Sequence, residues 1–140
     1  MNFDEIMKEL IRLNFSRRSK QIKMSLDHYQ YNIEMCTIQV NPGRRIGKTE
    51  WIRNHATCND LVILSNLSCV NDFLSKYHFS SLTPLVTTFN SFYNGYRFYN
   101  KDFVNIYVDD YNFISRHIDI HAHILPYDRS HLEHTFFFIG

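Results

Sequence analysis

The sequence predicts an α/β domain, built on a mostly parallel sheet of about five strands with flanking helices. Short apolar segments of strand length recur along the 140 residues. Segments with the apolar spacing of amphipathic helices lie between several of them. The segment Leu61–Leu64 is hydrophobic throughout rather than alternating with polar residues, which is typical of strands that a parallel sheet buries on both faces.

The N-terminal part, residues 1–30, is predicted to be helical. Ile6, Leu10 and Leu13 recur at helical spacing and predict an amphipathic helix over residues 4–13. The stretch "SRRSKQIKMSLDHY" predicts a second helix that is basic on one face. That face is either solvated or in contact with a phosphate backbone.

A length of 140 residues predicts a single domain over residues 1–140. Residues 35–140 form its predicted nucleotide-binding core. The predicted strands cover residues 35–40, 61–64, 84–89, 105–108 and 135–139. Two helices are predicted between them, one from Lys48 to about Thr57 and one in "NLSCVNDFLSKYHF". Trp51, in the first of these helices, is interpreted as a core residue rather than as a platform for a nucleotide base.

Composition excludes several classes of protein. Hydrophobic residues make up 44% of the chain, enough for a core, and the formal net charge of +1 gives the whole chain no strong affinity for nucleic acid. No apolar stretch approaches the roughly 20 residues of a transmembrane helix, and the acidic N-terminus is unlike a signal peptide. We therefore expect a cytoplasmic protein without membrane contact.

The cysteines indicate a reducing environment. Cys36, Cys58 and Cys69 are odd in number and lack C-x-x-C spacing, which argues against a disulfide framework and a thiolate zinc site. Cys36 lies in an apolar run and is predicted to be a small core residue.

The stretch "VNPGRRIGKTEW" carries the clearest functional signal, because it lies between a predicted strand and a predicted helix. Its Gly47-Lys48-Thr49 matches the end of the phosphate-binding pattern G-x-x-x-x-G-K-[ST]. In this pattern the glycine lets the backbone approach the phosphate, the lysine reaches the β- and γ-phosphates, and the hydroxyl binds Mg²⁺. Pro42 takes the place of the first glycine, and Gly43 follows one residue late. The alternative is a surface helix start without a ligand.

An acidic pair after a later strand supplies a candidate partner for this loop. Asp109 and Asp110 follow the apolar "NIYV" directly. A carboxylate at the tip of a buried strand can hold Mg²⁺, and a second can polarise the attacking water. Asp109 is therefore the predicted Mg²⁺ ligand and Asp110 the predicted activator of water, whereas the alternative is a turn or a helix cap.

The order of "GRRIGKT" and "IYVDD" resembles the Walker A and Walker B motifs of additional-strand P-loop ATPases. The arginine-containing loop is similar to that of phage terminase large subunits, which are DNA-packaging motors. The resemblance implies that Arg44 or Arg45 contacts the γ-phosphate, and Asp110 stands where Glu is more usual. The candidate nucleotide-binding residues are Pro42, Gly43, Arg44, Arg45, Ile46, Gly47, Lys48 and Thr49. The candidate metal ligands are Thr49 and Asp109. The candidate catalytic residues are Asp110, Lys48, Arg44 and Arg45.

"HIDIHAHILP" offers a competing interpretation. If it is a strand, His121 and His123 share one face, which suits a divalent metal, and the string resembles the metal motif of polymerase-and-histidinol-phosphatase-type phosphoesterases. His131 and His134 are the later histidines that could complete a partial site. The alternative is a chance similarity in a polar segment, because that family places further ligands on a long barrel.

The aromatic stretch "FNSFYNGYRFYNKDF", residues 89–103, has two interpretations. Its Tyr and Phe side chains, with Arg97 and Lys101, could stack against the bases of single-stranded nucleic acid. The alternative is packing at the sheet edge or in an oligomer.

The leading hypothesis is a small viral-type ATPase in the host cytoplasm, linked to DNA packaging or DNA handling. It would bind ATP and Mg²⁺, and its partners would be DNA and either further copies of itself or other motor subunits. The alternative is a nucleotide- or partner-binding module without turnover, and the third hypothesis is a metal-dependent phosphoesterase.

Overall fold

Five parallel strands form one sheet at the centre of the protein. The structure, a computed structural model, describes residues 2–43, 46–77, 83–94, 103–125 and 134–140, without the side chains of residues 20 and 21. The strands are β1 (Thr37–Val40), β2 (Leu61–Leu64), β3 (Leu85–Thr88), β4 (Asn105–Asp109) and β5 (Thr135–Ile139), in the order β1-β5-β4-β2-β3. The prediction of an α/β fold with a parallel sheet of five strands is confirmed.

Eight helices are described around this sheet. They are α1 (Phe3–Arg17), α2 (Lys20–Ser25), α3 (His28–Met35), α4 (Lys48–His55), α5 (Leu67–Ser75), α6 (Phe89–Asn94), α7 (Tyr111–Ile114) and α8 (Ile120–Ile124). None of the described helices combines the length and apolarity that crossing a bilayer requires.

Two apolar cores lie on opposite faces of the sheet, because successive strand residues point to opposite sides. Phe137 and Ile139 of β5 join the core that α1, α4 and α5 cover, whereas Phe136 and Phe138 join the core under α6, α7 and α8. Burial on both faces explains why β2 is hydrophobic throughout and β5 is hydrophobic after Thr135.

The N-terminal region departs from the prediction in its helix boundaries. α1 continues to Arg17, and the predicted second helix is in fact two helices, α2 and α3. Ser19 and Asp27 explain the division, because each side chain accepts a hydrogen bond from the first turn of the helix that follows it. Since α3 runs through Met35, β1 begins at Thr37 rather than at residue 35.

A buried aspartate ties the amino ends of the strands together. Asp60, immediately before β2, is only 1% exposed. Its Oδ2 accepts from the Thr57 backbone N–H at 2.8 Å and from the Thr57 hydroxyl at 3.2 Å. Its Oδ1 accepts from the backbone N–H of Asn105 at 3.1 Å and from the Asn105 side-chain amide at 3.2 Å. These bonds compensate the cost of burying the carboxylate and hold β2 beside β4.

Candidate nucleotide-binding site

The candidate loop leads directly from β1 into α4. Gly47 has φ +82°, the left-handed conformation in which a side chain costs energy, and it is the residue before the helix. Lys48 and Thr49 are therefore the first residues of α4, where backbone N–H groups lack partners within the helix and attract anions. Gly43 also has a positive φ, of +92°, at the start of the loop. Arg44 and Arg45 lie outside the described residues.

Thr49 meets the acidic strand directly. Its hydroxyl donates a hydrogen bond to Oδ2 of Asp109, with 2.5 Å between the oxygens, and the two residues are 60 positions apart in sequence. Asp109 is the last residue of β4, and Thr49 lies in the first turn of α4. The hydroxyl and the carboxylate thus form one oxygen cluster at the carboxyl ends of the strands, where open parallel sheets usually bind ligands.

Lys48 contacts the end of β5, the strand that lies between β1 and β4 in the sheet. Its ammonium group donates a hydrogen bond to the backbone carbonyl of Gly140, which follows β5. The sheet order places β5 between β1 and β4, so Lys48 spans from its own loop to the neighbouring strand tip. The Gly140 carbonyl can be exchanged for a phosphate oxygen, because the ammonium is attracted more strongly to an ionised oxygen than to a neutral one.

An open cleft of about 690 Å³ lies over this cluster, between α4 and α5. The volume falls within the range of small-molecule sites. The described residues that line it are Ile46, Gly47, Lys48, Thr49, Glu50, Arg53, Ser68, Cys69, Asp72, Lys76 and Asp109. Pro42 and Gly43 are not among them.

The cleft carries charges that the sequence prediction did not include, from Arg53 of α4 and from Asp72 of α5. Arg53 donates to the backbone carbonyl of Phe73 at 3.3 Å, and its guanidinium lies 5.0 Å from the centre of the Phe73 ring. Asp72 lies between Arg53, at 4.0 Å, and Lys76, at 3.9 Å. Arg53 follows Thr49 by four residues, so helical periodicity would have identified it as a neighbour on the same face.

Asp110 does not line the cleft in the described structure. It is exposed and has φ +56° and ψ +42°, a left-handed conformation that is uncommon for residues other than glycine. Its backbone N–H donates to Oδ1 of Asp109 at 2.9 Å. Asp110 precedes α7 as its N-cap residue, but its side chain makes no capping hydrogen bond.

The segment of His121 and His123 is a helix, so the expectation that both rings share one face of a strand is wrong. Residues two apart on a helix are separated by about 200° around its axis. His121 faces the sheet and is 8% exposed, whereas the His123 ring lies 4.9 Å from that of Tyr93. His134 bonds to the carbonyl of Phe103, and His131 lies outside the described residues.

The hydrogen bonds of His121 determine its tautomer. Thr37 Oγ1 lies 2.8 Å from both the Asn32 carbonyl and Nε2 of His121. Since the carbonyl can only accept, the single hydroxyl proton is donated to it, and Nε2 must carry the proton of the second bond. Burial lowers the pKa of His121 to about 4, against the opposing influence of the Asp119 carboxylate. The ring is therefore neutral, and Nε2 has no lone pair available for a metal.

The described residues contain no group of three side chains that could hold a metal ion. This finding concerns histidine, cysteine, aspartate and glutamate in the described ranges. It gives no support to the phosphoesterase hypothesis at His121 and His123.

The aromatic stretch is described only in part. Phe92 is buried, Tyr93 is exposed, and Phe89 packs against Phe113 and His117. Arg97 and Lys101 lie outside the described residues. Trp51 is a core residue, as predicted, because it packs between α1 and the sheet and donates its indole N–H to Asp4.

Comparisons with models of protein families, with curated proteins and with solved structures find no match to this chain. The chemistry of the cleft must therefore be inferred from its own groups. The start of α4 and Lys48 offer donors to an anion, and Thr49 and Asp109 offer oxygen ligands to a hard cation. Together these groups complement a polyphosphate that carries a divalent metal ion.

Proposed function

We propose that this protein binds ATP with Mg²⁺ in the cleft between α4 and α5 and hydrolyses it. The hydrogen bond between Thr49 and Asp109 carries the proposal, because it joins the two motifs that a magnesium nucleotide requires. Each motif alone has a common structural explanation. A phosphate loop and an acidic strand tip that meet at 2.5 Å make a shared site the better explanation of both.

In this proposal, donors and cationic groups bind the phosphates, and oxygen ligands bind the metal. Backbone N–H groups at the start of α4 hold the phosphates, and Lys48 leaves the Gly140 carbonyl to neutralise the phosphate oxygens. Thr49 and Asp109 hold the metal, which when bound withdraws charge from the transferring phosphoryl group. Asp110 would have to turn toward the cleft to orient water, since its side chain does not line the described site.

The sheet order supports a relation to additional-strand P-loop ATPases. One strand, β5, lies between the strand of the loop and the strand of the acidic pair, as the name of that class describes. Together with Arg44 and Arg45 in the loop, this order favours the terminase-like branch and a role in packaging or handling DNA. The host cytoplasm is the proposed location.

The test of nucleotide binding is a calorimetric titration with Mg-ATP of the wild type and of three variants. Lys48→Ala and Asp109→Asn should each weaken binding by roughly 10- to 100-fold, because each removes a charge-assisted contact. Lys8→Ala removes an exposed lysine from α1 and should leave binding unchanged. A wild-type protein that binds no nucleotide, or a Lys48→Ala variant that binds as well as the wild type, would refute the proposal.

The second candidate function is a nucleotide-binding module without turnover. The position of Asp110 favours it, because the carboxylate predicted to activate water lies outside the cleft lining. A phosphate-release assay with and without DNA separates the two candidates. Wild-type protein that binds Mg-ATP but releases no phosphate in either condition would establish the module and exclude the enzyme.

A further inference from the structure

Positive charge is concentrated in one part of the chain. Residues 10–26, here called the basic segment, contain five cationic side chains and no acidic one: Arg12, Arg17, Arg18, Lys20 and Lys23. The rest of the chain has ten cationic and fourteen acidic residues, a net charge of −4. The net charge of +1 therefore conceals a strongly cationic segment on an otherwise acidic protein.

The basic segment presents several of these charges to solvent. It covers the second half of α1 and all of α2. Arg17 and Lys23 are exposed, and the Arg12 side chain keeps 64% of its surface accessible although it pairs with Glu9. Exposed cations spaced along two successive helices can follow a chain of phosphates more readily than they can bind one small anion.

Arg18 fixes the basic segment at the edge of the sheet opposite the nucleotide cleft. Its guanidinium donates to Thr135 Oγ1 at 3.0 Å and to the Met35 carbonyl at 3.2 Å. Thr135 begins β5, and Met35 precedes β1, so both contacts lie at the amino ends of the strands. The cleft lies at the carboxyl ends, and the two surfaces are separate.

Exposed apolar side chains accompany the charges. Phe15 is 51% exposed and Met24 is 81% exposed. The Arg18 guanidinium lies 4.0 Å from the centre of the Phe15 ring. An aromatic ring and a guanidinium held together in this way offer the kind of stacking surface on which unpaired bases lie.

We propose that the basic segment binds the sugar–phosphate backbone of nucleic acid and that Phe15, supported by Arg18, stacks against an unpaired base. The arrangement is less suited to an anionic membrane, because insertion needs an amphipathic helix with a free apolar face. The apolar residues Phe3 and Met7 of α1 pack into the core, and α2 has only six residues.

The test measures binding of a fluorescent single-stranded oligonucleotide to the full chain over a series of salt concentrations. The double variant Arg17→Gln, Lys23→Gln should reduce the salt slope by about 1.4, because each lost phosphate contact removes about 0.7 for single strands. The matched control Lys8→Gln, Arg116→Gln removes the same charge outside the basic segment and should keep the wild-type slope. Circular dichroism checks that all variants fold.

Two further measurements separate the parts of the proposal. Phe15→Ala should weaken binding of the single strand by roughly 5- to 10-fold and leave binding of a duplex unchanged, because only unpaired bases can stack. Lys48→Ala should retain the wild-type affinity for the oligonucleotide, so the result does not depend on the proposed nucleotide site.

Three results would overturn the proposal. The first is no oligonucleotide binding at low salt, and the second is equal loss in the double variant and its matched control. The third is stronger binding to vesicles containing phosphatidylserine than to either nucleic acid, which would identify a membrane surface instead.

Discussion

Protonation of His121 should destabilise the folded protein as the pH falls below about 6.5, the ordinary pKa of histidine. Burial lowers its pKa to about 4 in the folded state, so the unfolded chain takes up the proton first. The contribution to stability is complete above pH 6.5 and is lost progressively as the pH falls towards 4. Below that value both states are protonated, and no further loss follows.

The size of the effect follows from the two pKa values. Between pH 7 and pH 5 the ring becomes almost fully protonated in the unfolded state but stays neutral in the folded state. The linkage relation then gives a loss of about 2 kcal/mol in the free energy of unfolding. A protonated ring would also have to remain packed against Phe136 and bonded to Thr37.

Urea unfolding at pH 7 and pH 5 measures the effect, with His121→Gln as the test variant. Glutamine does not titrate and can still donate a hydrogen bond to Thr37, so the variant should lose about 2 kcal/mol less than the wild type over this interval. His117→Gln is the matched control, because it removes an exposed ring and should follow the wild type. Equal pH dependence of His121→Gln and the wild type would refute the lowered pKa assigned to the buried His121 ring.

Two further substitutions test the fold around the sheet by urea unfolding. Asp60→Asn should lower the free energy of unfolding by about 2–4 kcal/mol, because an amide nitrogen would face the N–H donors of either Thr57 or Asn105. The control Asp72→Asn, on the surface, should change the free energy of unfolding by less than about 0.5 kcal/mol. Similar effects of these two variants would contradict the buried network. Asp110→Gly should raise stability by up to about 1 kcal/mol, because glycine adopts φ +56° without strain, and a loss of stability would contradict this interpretation of its backbone.

The strands were the most predictable part of the fold. The observed limits of β2 and β5 are those predicted, because β2 is a continuous apolar run between polar residues and β5 is a run of four apolar residues after Thr135. The short helices α6, α7 and α8 were not predicted. Helices of four to six residues span too few turns for an apolar periodicity to appear.

The candidate site could be predicted only where its signal is local. Gly47 and the two residues after it mark a loop and a helix start, and Asp109 marks a strand end. Arg53 was missed although its helical spacing from Thr49 indicates it, whereas the place of Asp72 in the cleft depends on how α5 packs beside α4. The strand expected for the histidine segment was wrong for a similar reason, since α8 forms against the sheet and Asp119 caps its first turn.

By itself, the sequence determined the elements on which the proposed chemistry depends: an apolar strand, a glycine-containing loop before a helix, and an acid at a strand tip. These features depend on the backbone and on nearest neighbours in the chain. Only the tertiary structure decided that β5 enters between β1 and β4, so that Lys48 bonds to Gly140 and Thr49 meets Asp109. Strand order depends on packing between distant segments, and local periodicity carries no information about it.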